Sequence, residues 1–301
     1  MTFLEDTISE RGRIEKAIEK YGYAPEHNFE WYQCQPEKGD KTVFVEFEDG
    51  SGLMTLEDTD KKIGSVFSSP IAPKNRRAKI LIEYLDYILK TDKFKKIDLE
   101  LEDELYKQFV KLLPKTIKHR KVRYTLEWPI YDLSLFDETL TGNKWKSLRK
   151  TINKFYKEHS VNVLDAKEYK NKQDLHDIIN DWKKNRCAGD RAYPQEYHLL
   201  IDNNFSPATE ARLFSVDGKI CGINAGWLIP NSNRYYGSVG IHNYAFDGLG
   251  DTLYIEDLIY LKKQGYKEAD MGGGEKGLNA FKAKSHPQLF YKTHIFSVIK
   301  T

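Results

Sequence analysis

Two lysines near the C-terminal end of the chain are the side chains best suited to chemistry. Lys282 and Lys284 lie in the segment GLNAFKAKSHP, shortly after a run of three glycines that includes Gly272 and Gly273. The pattern predicts a short helix over residues 278–284, preceded by a loop whose glycines let a ligand approach the backbone. A lysine that faces a cleft could hold a phosphate or stabilise the oxyanion formed when a carbonyl is attacked. The alternative is a pair of solvated lysines on an amphipathic helix.

A second glycine-rich turn precedes the helix predicted over residues 251–264. The strand YYGSVGI leads into the loop HNYAFDGLG, in which Gly248 and Gly250 stand just before Asp251. Glycine lets the backbone come close to a ligand, and the free N–H groups at a helix start suit an anion such as a pyrophosphate or a carboxylate. A flexible loop closed by an N-cap at Gly250 or Asp251 is the alternative.

A strongly basic helix is predicted over residues 143–157, in the segment NKWKSLRKTINKFYK. Lys146, Arg149 and Lys150 fall near one another at helical spacing. Such a face could receive a tRNA backbone, a phosphate of coenzyme A or an anionic acceptor. A solvated basic face is the alternative.

Two further groups could contribute to a cleft. His242 follows a predicted strand and could act as a general base, although a structural histidine is the simpler interpretation. The segment DWKKNRCAGDR has a charged, turn-like end suited to gating a cleft, and we expect its Asp181, Arg186 and Arg191 to be solvated.

The elements that must position these residues occur twice along the chain. Each half is predicted to contain a three-strand meander followed by helix, strand, helix and strand, which indicates a tandem duplication. We therefore predict two domains, 1–138 and 139–301, each with a mixed, mainly antiparallel sheet flanked by helices. The first copy has Pro70 and Pro73 where the second has its GLG turn, and Val110 in place of the first FKAK lysine. The second domain is thus predicted to be catalytic and the first degenerate.

The amino-acid composition is typical of a folded protein, and its charge balance does not require a charged partner. The chain has 301 residues, of which 40% are hydrophobic and 31% charged, with a net charge of +2. These values exclude a disordered chain and do not require nucleic acid. Cys34, Cys187 and Cys221 lack zinc-ligand spacing, so we expect buried free thiols, a reducing compartment and no metal. With no secretory signal and no run of roughly 18 apolar residues, a cytoplasmic protein is expected.

The C-terminal motifs resemble a known group of enzymes. The run GDTLYIEDLIYLKKQGYKEADMGGG, followed by LNAFKAKSHPQLFY, is similar to the C-terminal catalytic domain of bacterial phosphatidylglycerol lysyltransferases. It is also similar to the wider group of tandem N-acyltransferase (GNAT-like) proteins that includes the FemAB-type aminoacyltransferases of peptidoglycan bridges. The positions that carry the resemblance are Gly250, Asp251, Gly265, Tyr266, Gly272, Phe281, Lys282, Lys284, Pro287 and Tyr291.

The resemblance implies a tandem GNAT-like fold of the α+β or α/β class and an acyl-transfer reaction. The donor would be an aminoacyl-tRNA or an acyl-CoA, with no permanently bound cofactor. The acceptor would be an amine or a hydroxyl of a small molecule, a peptide or a lipid head group. Asp251 and Lys282 match motif positions tied to activity, and Lys282 would steady the developing oxyanion or the donor phosphate.

Three functions remain open at this level. The first is transfer of an aminoacyl group from tRNA, and the second is acyl-CoA-dependent N-acylation of a small molecule or peptide. The third is a binding protein that has kept the fold without the chemistry. Ala245 stands where acyl-CoA-binding members carry glutamine or arginine, which favours tRNA as the donor. The two lysines of the FKAK segment favour an enzyme over a binding protein.

Overall fold

The computed structural model of the chain describes most of its residues, namely 1–36, 39–186, 193–274 and 276–301. Cys187 and Arg191, which were considered above, lie outside these described residues. Within the described ranges, no helix is long and apolar enough to cross a membrane.

The first half of the chain follows the predicted order of elements, with three short additions. The additions are β1, α2 and β6, which are too short to produce a periodic pattern in the sequence. In chain order the elements are β1 (Thr2–Leu4), α1 (Arg11–Tyr21), α2 (Phe29–Gln33), β2 (Asp40–Glu46), β3 (Gly52–Asp58), β4 (Ile63–Val66), α3 (Arg77–Lys90), β5 (Lys96–Glu102), α4 (Asp103–Leu112), β6 (Ile117–His119) and β7 (Tyr124–Asp132).

The second half also agrees with the predicted order. The predicted hairpin turn at Asp217 and Gly218 is confirmed, and both residues have the positive φ angles that such a turn requires. After a one-turn 3-10 helix (Asn143–Trp145) come α5 (Lys146–Glu158), β8 (Val161–Asp165), α6 (Lys172–Lys184), α7 (Pro194–Asp202), β9 (Glu210–Val216), β10 (Lys219–Leu228), β11 (Arg234–His242), α8 (Leu249–Lys263), β12 (Glu268–Asp270), α9 (Lys276–Ala283) and β13 (Leu289–Lys300).

The two halves share one continuous sheet because they exchange strands. The strand order is β1-β2-β3-β4-β5-β13-β7-β12-β11-β10-β9-β8, with β6 also paired to β13. The last strand of the chain, β13, therefore lies between β5 and β7 of the first half, antiparallel to both. Strand β7 in turn pairs with β12 of the second half. The domain boundary between residues 138 and 139 stays a prediction.

Neighbouring strands of the second half diverge near the middle of the sheet. Strands β11 and β12 run parallel and pair only over residues 234–236 and 268–270. Strand β12 then ends, whereas β11 continues to His242 while remaining paired with β10 on its other side. The divergence leaves an opening in the sheet beside the second part of β11.

Helices cover the sheet through apolar faces that the sequence periodicity predicts. In α3, Ile80, Leu81 and Leu85 are fully buried in a core that also contains Phe296 and Val298 of β13. The last strand of the chain thus completes the core of the first half. Helix α8 packs against α5 and β7 in one core cluster and, through Leu249 and Leu253, against β9 and β10 in another, so its buried residues lie on several sides.

Candidate active site

A cavity of about 700 Å³ occupies the space where β11 and β12 diverge. Its volume lies in the range of small-molecule binding sites. Residues 237–242 of β11 form one wall, and Met271, Gly272 and Gly273 after β12 form another. The first half of the chain contributes Trp128 of β7 and Glu100 of β5. Both halves therefore build the cavity.

Lys282 lies in the wall of this cavity and is only 4% exposed. Its ammonium group donates hydrogen bonds to the carbonyl oxygens of Met271 at 2.6 Å and Gly272 at 2.8 Å. Burial lowers the pKa of Lys282 to about 8, and the charge of Asp270 opposes that change. An ammonium has three N–H donors, so one remains for a bound group.

The backbone of Lys282 is also held in place. Tyr131 of β7 donates its hydroxyl hydrogen bond to the Lys282 carbonyl at 2.9 Å. The Ser285 hydroxyl donates to the same carbonyl at 2.7 Å. Tyr254 of α8 donates to the Tyr131 hydroxyl at 3.0 Å. Strand β7 and the turn after α9 thus hold the residue that the sequence singles out for chemistry, and α8 supports Tyr131.

His242 lies at the end of β11 and faces the same cavity. A Cβ added to Gly250 would stand 2.7 Å from its ring, so the start of α8 packs directly onto the imidazole. Burial lowers the pKa of His242, while Asp251 acts in the opposite direction. The imidazole is therefore favoured in its neutral form, which is able to accept a proton.

Asp251 and Lys284 pair with each other. The Lys284 ammonium contacts both carboxylate oxygens of Asp251, at 2.9 Å and 3.0 Å. Neither side chain belongs to the described lining of the cavity, whereas Gly250, in the same turn, does. Gly248 caps α8 with a φ of 82°, and a Cβ there would meet Thr151 of α5 at 2.8 Å. Gly248 therefore brings α5 close to the start of α8.

The basic helix α5 presents an exposed row of lysines. Its buried residues Leu148, Ile152 and Phe155 face the core. Arg149 donates to the carbonyl oxygens of Leu140 and Gly142, so its guanidinium supports the chain before the helix. The exposed lysines of α5 are Lys146, Lys150, Lys154 and Lys157, and Lys144, which precedes the helix, is exposed as well.

A smaller chamber adjoins the main cavity, because Glu100 and Trp128 line both. Glu26 and Glu102 also line the chamber, and Tyr291 of β13 closes one side. Burial and the charge of Glu100 raise the pKa of Glu26 to about 8. Trp128 stacks on Tyr291 with ring centroids 5.3 Å apart and donates to the Thr293 hydroxyl at 2.9 Å.

A third wall of the main cavity comes from α6 and α7. Trp182 of α6 and Glu196 and Tyr197 of α7 line it. Arg186, which we had expected to be solvated, also lines the cavity, with its guanidinium 4.8 Å from the centre of the Trp182 ring. Burial raises the pKa of Glu196 to about 7.

The structure unites some of the predicted residues and adds others. Lys282, His242, Gly250, Gly272 and Gly273 meet at one cavity. Asp270 and Trp128 were not predicted from the sequence, and neither were the glutamates Glu26, Glu100 and Glu102. Tyr291 was named only as a position of the C-terminal resemblance, without a role. One signal was available, because the alternation KIDLELE in β5 places its acidic residues on the face opposite Ile97, Leu99 and Leu101.

No protein-family model matches this chain, and no curated protein matches it in sequence. Solved structures, however, resemble it over nearly its whole length. The C-terminal domain of a putative lysylphosphatidylglycerol synthetase from Agrobacterium fabrum has a TM-score of 0.68 at 13% identity, covering 97% of this chain and 92% of that chain. FemX has a TM-score of 0.65 at 12% identity, covering 99% of this chain and 97% of its own. A tandem GNAT protein from the clavulanic acid biosynthesis pathway has a TM-score of 0.57 at 10% identity, covering 99% and 98%.

These likenesses establish the class of fold. The chain has a two-domain, tandem GNAT-like α+β fold, in which a mixed, mainly antiparallel sheet is flanked by helices. The prediction drawn from the C-terminal motifs is therefore confirmed for the fold. Identities of 10–13% support the fold and carry no information on substrates.

Proposed function

We propose that this protein is an acyltransferase that moves an aminoacyl group from aminoacyl-tRNA to an amine or a hydroxyl acceptor. The observation that carries the proposal is the buried ammonium of Lys282, held by two backbone carbonyls in the wall of the main cavity. A preorganised cation in a site withdrawn from water stabilises negative charge that develops on a carbonyl oxygen.

The side chains in the cavity suit each step of such a transfer. The acceptor nitrogen or oxygen forms a bond to the ester carbonyl carbon, and the carbonyl electron pair moves to oxygen beside Lys282. The neutral imidazole of His242 accepts the proton that the acceptor loses. Collapse of the intermediate breaks the bond to the ribose oxygen of tRNA, which leaves with that proton.

Two features of the second half support tRNA as the donor. The exposed lysines of α5 form a basic face beside the start of α8, which suits a nucleic-acid backbone. The first turn of α8 already contains the Asp251 carboxylate, paired with Lys284. A pyrophosphate at this helix start would approach that carboxylate and gain less from the helix dipole.

An acyl-CoA donor is the second candidate, favoured by the glycines around α8. Gly248 caps the helix with a positive φ, and Gly250 lines the cavity, so the start of α8 borders the cavity. This geometry suits a phosphate group. The same fold and the same lysine would then serve an acyl thioester instead of an ester.

The test compares donors and variants in one assay. Total tRNA charged with 14C-labelled amino acids is offered with polyamines, amino sugars, short peptides and phosphatidylglycerol vesicles, and transfer of label to each acceptor is counted. Wild type is expected to transfer label and Lys282→Met to lose at least about 100-fold in rate. Lys276→Met is the matched control, because Lys276 lies on the same helix and is exposed.

The alternative outcomes are distinct. A thermal shift with 1 mM acetyl-CoA and no label transfer from tRNA would replace the tRNA proposal with the acyl-CoA one. Equal transfer rates for wild type and Lys282→Met would refute the role of Lys282. An absence of both transfer and thermal shift would leave a binding protein.

A further inference from the structure

Asp270 and Lys282 are connected through a single glycine at the end of β12. The Gly272 N–H donates to one Asp270 carboxylate oxygen at 3.0 Å. The Gly272 carbonyl, on the same residue, accepts from the Lys282 ammonium at 2.8 Å. Asp270 is fully buried, and Gly272 has a φ of 79°, a value that favours glycine. The carboxylate therefore fixes the turn whose carbonyls hold the lysine.

The second oxygen of Asp270 is held from the opposite side of the site. Tyr291 of β13 donates its hydroxyl hydrogen bond to that oxygen at 2.8 Å. Tyr291 is in turn stacked on Trp128. A Cβ on Gly273 would stand 2.5 Å from the Trp128 ring, so the glycine leaves the space that the indole occupies. The exchanged strand β13 thus determines where the Asp270 carboxylate lies.

We propose that Asp270 is a positioning residue for Lys282, which orients the Met271–Gly272 carbonyls and supplies the negative charge that keeps the lysine protonated inside the cavity. The effect of Asp270 on catalysis rests on the proposed function, since it presupposes that Lys282 takes part in acyl transfer. Asp270 acts through Lys282 and does not contact the substrate. Tyr291 belongs to the same arrangement because it holds the carboxylate in place.

The electrostatics of the site agree with this arrangement. Burial raises the pKa of Asp270 to about 6, while Tyr291, the Gly272 N–H, Arg234 and Lys282 counteract the rise. At pH 7 the carboxyl is therefore mostly ionised, while Lys282, with a pKa of about 8, mostly carries its proton. The other charged or titratable groups that act on Asp270 or respond to it are Arg234 and Tyr236 of β11, Tyr254 of α8, Tyr291 of β13 and Glu26.

The experiment measures the protonation of Lys282 directly and needs no substrate. Trace labelling with acetic anhydride from pH 6 to 11, followed by tandem mass spectrometry, gives the apparent pKa of each labelled lysine. Lys276 serves as an internal standard for the reagent. Asp270→Asn keeps the size and hydrogen-bonding oxygen of the side chain but removes its charge, so the apparent pKa of Lys282 is expected to fall by about one unit.

Tyr291→Phe separates charge from packing. It keeps the carboxylate and removes only the hydroxyl, so the apparent pKa of Lys282 should stay within about 0.3 units of wild type. A Lys282 pKa that is unchanged in a folded Asp270→Asn protein, or that falls equally in both variants, would overturn the proposal.

A second measurement applies if Asp270→Asn does not fold. Coupling between two ionising groups is reciprocal, so removal of the lysine must raise the pKa of Asp270. Titration of 13C-labelled aspartate carboxyls in wild type and Lys282→Met is expected to show a rise of about one unit at Asp270. An unchanged Asp270 titration would overturn the proposal.

The pH dependence of acyl transfer then distinguishes a failure of the positioning role from a failure of the proposed function. If acyl transfer occurs, the high-pH decline of its rate should move to lower pH in Asp270→Asn by the same amount as the lysine pKa. A lysine shift with no such movement of the rate profile would overturn the positioning role. A lysine shift in a protein that transfers nothing would refute the proposed function, while the Asp270–Lys282 coupling would stand.

Discussion

Gly250 leaves the space in which the His242 ring lies at the start of α8. A Cβ on this glycine would stand 2.7 Å from two atoms of the imidazole, which is closer than real Cβ contacts allow. The same turn carries Asp251, whose charge acts on His242. The first turn of α8 therefore limits the position of His242, and its Asp251 partly opposes the lowering of the His242 pKa by burial.

Gly250→Ala is expected to displace the imidazole from the start of α8 and to destabilise the protein by about 1–3 kcal/mol, because the added methyl group overlaps two ring atoms that must move. Urea unfolding measures the stability, and the acyl-transfer assay measures the rate, which should fall. Gly12→Ala in α1 is the matched control, since no atom lies within 4 Å of the added Cβ. It should be neutral or slightly stabilising. Equal effects of the two substitutions would contradict the packing argument.

The transfer rate should depend on pH through Lys282. Its pKa of about 8 means that the ammonium is present below pH 8 and is lost as the pH rises through that value. The rate at saturating donor should therefore decline above pH 8, after subtraction of the spontaneous hydrolysis of the ester. Lys282→Arg keeps the charge at all these pH values, so its slower reaction should show no such decline. A high-pH decline that persists in the arginine variant would assign the titration to another group.

The small chamber should make stability depend on pH through Glu26. Its pKa is about 8 in the folded chain, against an ordinary value of 4.5, so the folded state binds the proton more tightly than the unfolded chain does. The contribution of Glu26 to the free energy of unfolding is therefore fully present below pH 4.5, and this contribution is lost as the pH rises through 8. Glu26→Gln should be more stable than wild type by about 2–5 kcal/mol at pH 9.

Urea unfolding at pH 5 and pH 9 tests this expectation. The difference between Glu26→Gln and wild type should be much smaller at pH 5, which is close to the ordinary glutamate pKa of 4.5, than at pH 9. Glu104→Gln in α4 is the control, because Glu104 is exposed. A stabilisation of the same size at both pH values would show that the charge of Glu26 is not its cause.

Reversal of charge on α5 should weaken tRNA binding and leave the fold intact. Lys146→Glu combined with Lys150→Glu is expected to reduce the dependence of log affinity on log salt by about two, because each lysine neutralises about one phosphate. Filter binding from 50 to 300 mM salt measures the slope. Lys111→Glu with Lys115→Glu, two exposed lysines of the first half, is the matched control. Identical slopes for both double variants would remove α5 from the tRNA interface.

The local features of this protein follow from short stretches of its sequence. The strand and helix periods, the hairpin at Asp217 and Gly218, and the glycine turns around α8 depend on neighbouring residues, so they could be predicted from order and composition. The FKAK segment pointed to Lys282 because its motif lies within one short helix and the loop before it. The resemblance in that region led to the correct fold.

The contacts between distant residues depend on how the strands are arranged in the folded chain. Strand β13 is inserted between β5 and β7. No local sequence pattern predicts this pairing, because antiparallel strands of similar alternation can pair in many orders. That insertion brings Tyr291 to Asp270 and links Trp128 to Glu100 through the Thr293 hydroxyl. Burial then sets the charges of Lys282, Asp270 and Glu26, since the cost of removing a charge from water depends on the complete surroundings.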